Sequence, residues 1–204
     1  MPSPSTQTTY FGYGSNLWLH QMCTRCPTST YLGVARLKNY KWIINDRGYA
    51  NVVELDSTST TPDYSEVVFG LVYALGKKDE ERLDRNEGVP IAYTKEDLEC
   101  DFWKAEHGTD SKVDTTKKPT ETKEMLTMRY IDRKRVTEDE PKKEYIYRMN
   151  KGIEDAIKMG VPHNYVKKVM RKFIPKEGEE KARKSLEEKA LRQADEFVDE
   201  SGIY

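Results

Sequence analysis

The chain has 204 residues, with 34 Lys and Arg against 35 Asp and Glu, for a formal net charge of −1. That balance carries no electrostatic footprint for nucleic acid or an anionic membrane surface, and no apolar run approaches the length of a membrane helix. With 36% hydrophobic and 34% charged residues, the composition suits one domain with a real core plus solvated segments.

The stretch Met1 to Thr9 is polar and rich in Ser and Thr, so no secretory signal is expected. Tyr10 to Tyr13 reads as a short aromatic strand running into Gly14-Ser15-Asn16. Leu17 to Cys23 then reads as a helix capped by Ser15 or Asn16 and closed by Pro27. Leu32 to Leu37, Tyr40 to Asn45 and Asn51 to Leu55 read as strands, the last two separated by a turn at Asp46-Arg47-Gly48. A polar loop over Asp56 to Ser65 leads into Val67 to Leu75, the most apolar run in the chain and the expected central strand.

Lys77 to Asn86 combines helix formers with charge pairs and predicts a short exposed helix. Ile91 to Trp103 and Met125 to Val136 have strand character. Between them, His107 to Lys123 is so polar that a flexible insertion is expected. A charged loop follows over Thr137 to Lys143. Glu144 to Met159 has apolar residues at helix spacing, with Gly160 placed as its C-cap and Pro162 beyond. Asn164 to Phe173 predicts a second helix. From Lys176 onward Glu, Lys, Arg and Ala dominate, which predicts a charged helical extension over 176–204. Strands early and helices late argue for an α+β domain with a closed or strongly curved sheet.

Cys23 and Cys26 form a C-x-x-C pair, but only Cys100, His20, His107 and His163 remain to complete a metal site. A tetrahedral site needs four ligands, so reduced thiols, no metal and a cytoplasmic setting are expected. Two other places attract attention. Gly14-Ser15-Asn16, between a strand and a helix start, offers a glycine for close approach and amide N–H groups for a carboxylate or developing oxyanion. Glu87 follows a helix C-terminus and lies three residues after Asp84. Both features disfavour its charged form and suit it to acid/base work near neutral pH.

Three segments taken together resemble the γ-glutamyl cyclotransferase family. They are Tyr10-Phe11-Gly12-Tyr13-Gly14-Ser15-Asn16-Leu17, Leu83-Asp84-Arg85-Asn86-Glu87-Gly88-Val89 and Gly160-Val161-Pro162-His163-Asn164-Tyr165. Gly33-Val34-Ala35-Arg36-Leu37 adds a strand like the family's. The resemblance implies a closed, barrel-like mixed sheet with flanking helices over residues 8–175. It also implies an activity that needs no cofactor: a γ-glutamyl compound closes on itself to 5-oxoproline and releases an amino acid.

By the same resemblance, Glu87 carries the proton transfers and Tyr13, Gly14, Ser15, Asn16 and Leu17 hold substrate, with Tyr93 and Tyr130 as pocket tyrosines. Asn16 is closer to the enzymes of general γ-glutamyl amino acids than to the glutathione-specific branch. Glutathione, a γ-glutamylamine or a γ-glutamylated secondary metabolite remains an alternative substrate. A non-catalytic module that binds a ligand or partner is the rival of another class. The expected partner is a small γ-glutamyl substrate, with no nucleic acid and no membrane; the sequence leaves a homodimer open.

Overall fold

The computed structural model describes residues 7–56, 63–86, 98–106, 111–125, 133–176 and 191–192. Seven strands and four α-helices lie among them. Strand β1 is Thr8–Gly12, β2 is Thr30–Lys38, β3 is Tyr40–Ile44 and β4 is Ala50–Glu54. Strand β5 is Val67–Leu75, β6 is Leu98–Lys104 and β7 is Glu121–Met125. The helices are α1 (Leu19–Arg25), α2 (Lys77–Asn86), α3 (Lys143–Met159) and α4 (His163–Lys168).

The main sheet has the order β1-β5-β2-β6-β7, and β3 and β4 form a separate ribbon. Strand β5 is buried at every position. Its unbroken apolar run suits a strand covered on both faces, and it pairs with β1 on one side and β2 on the other. The run of Val, Phe and Leu therefore forms a buried interior strand as expected, but it lies beside the edge strand β1, and the middle place in the sheet belongs to β2.

The expectation of a closed, mixed sheet is corrected. Every pairing among the described residues is antiparallel, and the sheet stays open between β1 and β7. These two edges approach within 8 Å between Cα atoms at points but share no hydrogen-bonded register among the described residues. Each has five described residues, and they begin with Thr8-Thr9 and Glu121-Thr122-Lys123. Short, polar edges of this kind resist further pairing.

In the segment read as an insertion, residues 111–120 dock on the end of α3. The Val113 N–H donates to Met159 O at 2.9 Å, and the Thr115 hydroxyl donates to Gly160 O at 2.8 Å. Gly160 is left-handed, with φ 114°, and closes α3 as its position predicted. A Cβ there would lie 2.1 Å from Val113 O, so only glycine lets the two segments touch. Strand β7 is described up to Met125, and of the strand expected over Met125 to Val136 the described residues 133–136 carry no strand structure. The helix expected over 164–173 is shorter: α4 stops at Lys168 and a 3₁₀ turn follows at Met170–Lys172. The expected C-terminal helix lies outside the described residues apart from Lys176, Leu191 and Arg192. No helix among the described residues is long and apolar enough to cross a membrane.

Candidate active site

The turn after β1 is a 3₁₀ turn, Ser15–Leu17, entered through Gly14. Neither Ser15 nor Asn16 caps α1, whose N-cap is Trp18 with no side-chain bond. This corrects the capping expectation, and the reason is that both side chains are engaged elsewhere. Gln21 Nε2, on α1, donates to Ser15 Oγ at 2.9 Å and to Asn16 Oδ1 at 2.7 Å. Asn16 Nδ2 donates to the Tyr10 hydroxyl at 2.6 Å. Ser15, Asn16 and Leu17 are all buried, and Tyr13 behind them is buried too.

The main chain of the turn is held from the opposite side. The Trp42 indole N–H donates to Tyr13 O at 2.9 Å, and the Tyr73 hydroxyl donates to Asn16 O at 3.2 Å. Tyr145, in the first turn of α3, accepts the Ser15 N–H at 3.2 Å and the Ala50 N–H at 3.3 Å on one hydroxyl oxygen. Gly14 makes this approach feasible, since a Cβ there would stand 2.9 Å from the Tyr145 hydroxyl and 3.2 Å from Ala50 Cβ.

The supply of amide donors is smaller than expected for Gly14 to Leu17. Ser15 N is taken by Tyr145, Leu17 N by Gly14 O at 3.0 Å and Trp18 N by Ser15 O at 3.0 Å. The N–H groups of Gly14 and Asn16 are the two in the turn that have no partner among the described residues. Gly14 is half-exposed, so the turn opens to the surface at its glycine.

Behind the turn lies a tyrosine cluster. Tyr73 stacks on Tyr10 with centroids 6.2 Å apart and meets Tyr31 edge-on at 6.1 Å. Burial raises the pKa of Tyr73 well above the usual tyrosine range, with Tyr10 and Tyr31 adding to the effect. Burial raises Tyr31 likewise. These phenols stay protonated through neutral pH, so the Tyr73 O–H remains a donor to the turn.

Helix α2 is described up to Asn86. Glu87, Tyr93 and Tyr130 lie outside the described residues. Helix α2 itself packs near the turn's support: Arg82 Nη1 donates to Arg25 O at 3.3 Å, and Asp79 accepts the Thr28 N–H and hydroxyl at 3.0 and 2.7 Å. Arg25 in turn reaches Asn16 Oδ1 at 3.4 Å. A continuous set of bonds therefore joins α2 to the turn.

Tyr145 escaped the sequence reading, in which the apolar residues at helix spacing in α3 include Ile146 and Tyr147. In the structure Tyr145 is buried and those two are only partly so. Gln21 escaped as well, a polar residue in a helix of mixed pattern. The one usable signal for it was its place six residues after Ser15 and five after Asn16, within about two helical turns. A separate cavity of about 640 Å³ lies between 112–116 and 160–164. It is near the far end of α3, about 18 Å along the helix from Tyr145.

An open antiparallel sheet with helices, bearing a buried, glycine-led main-chain turn after its first strand, defines a small α+β domain. Residues 10–125, more than half of the sequence, match the family described as gamma-glutamyl cyclotransferase, AIG2-like, and the chain belongs to that family. Among solved structures it is similar to one titled gamma-glutamyl cyclotransferase, with a TM-score of 0.62 and 20% identity over 91% of this chain and 99% of the other. It is also similar to an uncharacterized protein from Homo sapiens, with a TM-score of 0.57 and 21% identity over 91% and 98% of the two chains. A third match, YkqA from Bacillus subtilis, has a TM-score of 0.58 and 16% identity over 84% of this chain and 56% of that one. No curated protein matches the sequence.

Proposed function

We propose that the chain cyclises γ-glutamyl amino acids to 5-oxoproline, with Glu87 as general acid/base and the Tyr13–Leu17 turn holding substrate. The observation that carries this reading is the turn itself. Its side chains are drawn inward and bonded, and the N–H groups of Gly14 and Asn16 remain for a ligand. Membership of the family supports the class of chemistry.

In this mechanism the substrate supplies its own nucleophile, so the protein mainly holds it in an attack geometry. The α-ammonium first loses a proton to the Glu87 carboxylate. The freed amine nitrogen then bonds to the γ-carbonyl carbon, and the carbonyl oxygen takes up negative charge. Amide N–H groups aimed at that oxygen stabilise it. Collapse breaks the bond to the leaving nitrogen, which receives a proton from the Glu87 acid. Over the full reaction the α-nitrogen gives up two protons and the leaving nitrogen gains two, one of them exchanged through solvent. No water is consumed and nothing is oxidised or reduced.

In the sequence Glu87 follows the charge-paired helical segment 77–86, and the partial negative charge expected at a helix C-terminus there would favour the protonated acid. Tyr93 and Tyr130 complete the proposed pocket on the family resemblance, and Tyr145 joins them through its bond to Ser15. The test is 5-oxoproline release from γ-glutamyl-alanine, glutathione and γ-glutamyl-lysine, assayed separately. Turnover of at least one is expected, and its loss in a folded Glu87→Gln variant. Silence on all three by the wild-type chain would transfer the turn to a ligand-binding role without catalysis.

A further inference from the structure

Gln21 is fully buried, and its single amide nitrogen spans both polar side chains of the turn, Ser15 and Asn16. An amide nitrogen carries two hydrogens, so these two bonds use its whole donor capacity. Asn16 is also bound at its Nδ2 by Tyr10, at its Oδ1 by Arg25 and at its main-chain oxygen by Tyr73. Its N–H is the polar group left over.

A second observation separates this residue from ordinary packing. Gln21 Oε1 is buried with no hydrogen-bond partner among the described residues. An unpaired buried acceptor costs stability that an apolar side chain of the same length avoids. Glutamine at this site is thus a poor solution for the core and a good one for aiming the turn.

We infer that Gln21 is a positioning residue, which fixes Ser15 and Asn16 from behind so that the Gly14 and Asn16 amides are presented to the substrate. The inference rests on the assignment of this turn to substrate in the preceding section. Gln21 touches no substrate. It acts on the reaction only through the geometry of the turn, where displacement by about 1 Å lowers turnover by about a hundredfold.

The test uses the full chain and two variants, Gln21→Met, which keeps length and removes the donor, and Gln21→Glu, which keeps shape and replaces the donor by an acceptor. Amide hydrogen exchange followed by NMR gives a readout that needs no activity. In either variant, exchange at Ser15 and Leu17 is expected to rise by about tenfold while the amides of β5 keep their protection. With γ-glutamyl-alanine, kcat is expected to fall by about a hundredfold with KM changed by less than about threefold. Adding Ser15→Ala to Gln21→Met is expected to cost less than the product of the two single effects.

Unchanged exchange at Ser15 and Leu17 in a folded variant overturns the inference, whatever the chain turns over. Faster exchange with wild-type kcat overturns it as well. If the wild-type chain makes no 5-oxoproline at all, the proposed reaction falls, and the exchange data alone decide whether Gln21 holds the turn.

Discussion

Replacing Tyr145 by phenylalanine removes one oxygen atom and leaves the ring. The aromatic contacts survive: the ring meets Tyr49 edge-on with centroids 5.1 Å apart, and the Arg148 guanidinium lies 5.1 Å from its centre. What is lost is an acceptor shared by two main-chain donors, Ser15 N at 3.2 Å and Ala50 N at 3.3 Å. Both residues are 8% exposed, so water does not readily replace it. The two bonds are long, which puts each near the lower end of the range for a buried amide left unpaired, roughly 1 kcal/mol. The pair together then contributes about 2 kcal/mol. A domain of this size shifts by about 2 to 4 °C per kcal/mol, so a fall in Tm of about 4 to 8 °C is expected by calorimetry. Turnover of γ-glutamyl-alanine is expected to fall by about tenfold or more, because the Ser15 amide belongs to the turn. A Tm within about 1 °C of the wild-type value would refute the claim that this hydroxyl braces both segments.

Three further outcomes are expected. Gly160→Ala forces a side chain into a left-handed position and against Val113 O, which destabilises by about 2 kcal/mol or more; Val113 N–H exchange is expected to accelerate, and unchanged protection would refute the docking. Tyr31, Tyr73 and Tyr165 all have pKa values raised by burial. Below about pH 10 neither state ionises these phenols and stability is intact, whereas above it the unfolded chain releases protons that the folded chain keeps. Stability is expected to fall by up to roughly 4 kcal/mol per pH unit there, and a urea midpoint flat between pH 9 and 11, values of about that size, would contradict it. Of the three thiols, Cys23 is exposed while Cys26 and Cys100 are buried, so one thiol is expected to react rapidly with a disulfide reagent and the other two only on unfolding.

The elements most legible in the sequence are those specified by local pattern. The nine apolar residues of β5 and the charge-paired α2 lie where their composition places them, and Gly160 ends α3 by its own backbone freedom. Contacts between distant segments were not legible. Periodicity marks α3 as a helix but does not say whether Tyr145 or Tyr147 points inward, because the deciding partners, Ser15 and Ala50, lie far away in sequence. Strand β7 has the polar composition of an edge, so its Thr and Glu residues read as loop until β6 is present to pair with them. The motif around Gly14 was visible as residues, yet the inward direction of the Ser15 and Asn16 side chains depends on Gln21, whose role emerges only once α1 is folded against the turn.

Product identity in ¹⁸O-labelled water tests the proposed chemistry most directly. If the substrate's own amine closes the ring, γ-glutamyl-alanine yields 5-oxoproline with no label, and a folded Glu87→Gln chain yields almost none. Labelled glutamate as the product would mean that water attacks the carbonyl, and undiminished 5-oxoproline from Glu87→Gln would remove that carboxylate from the reaction.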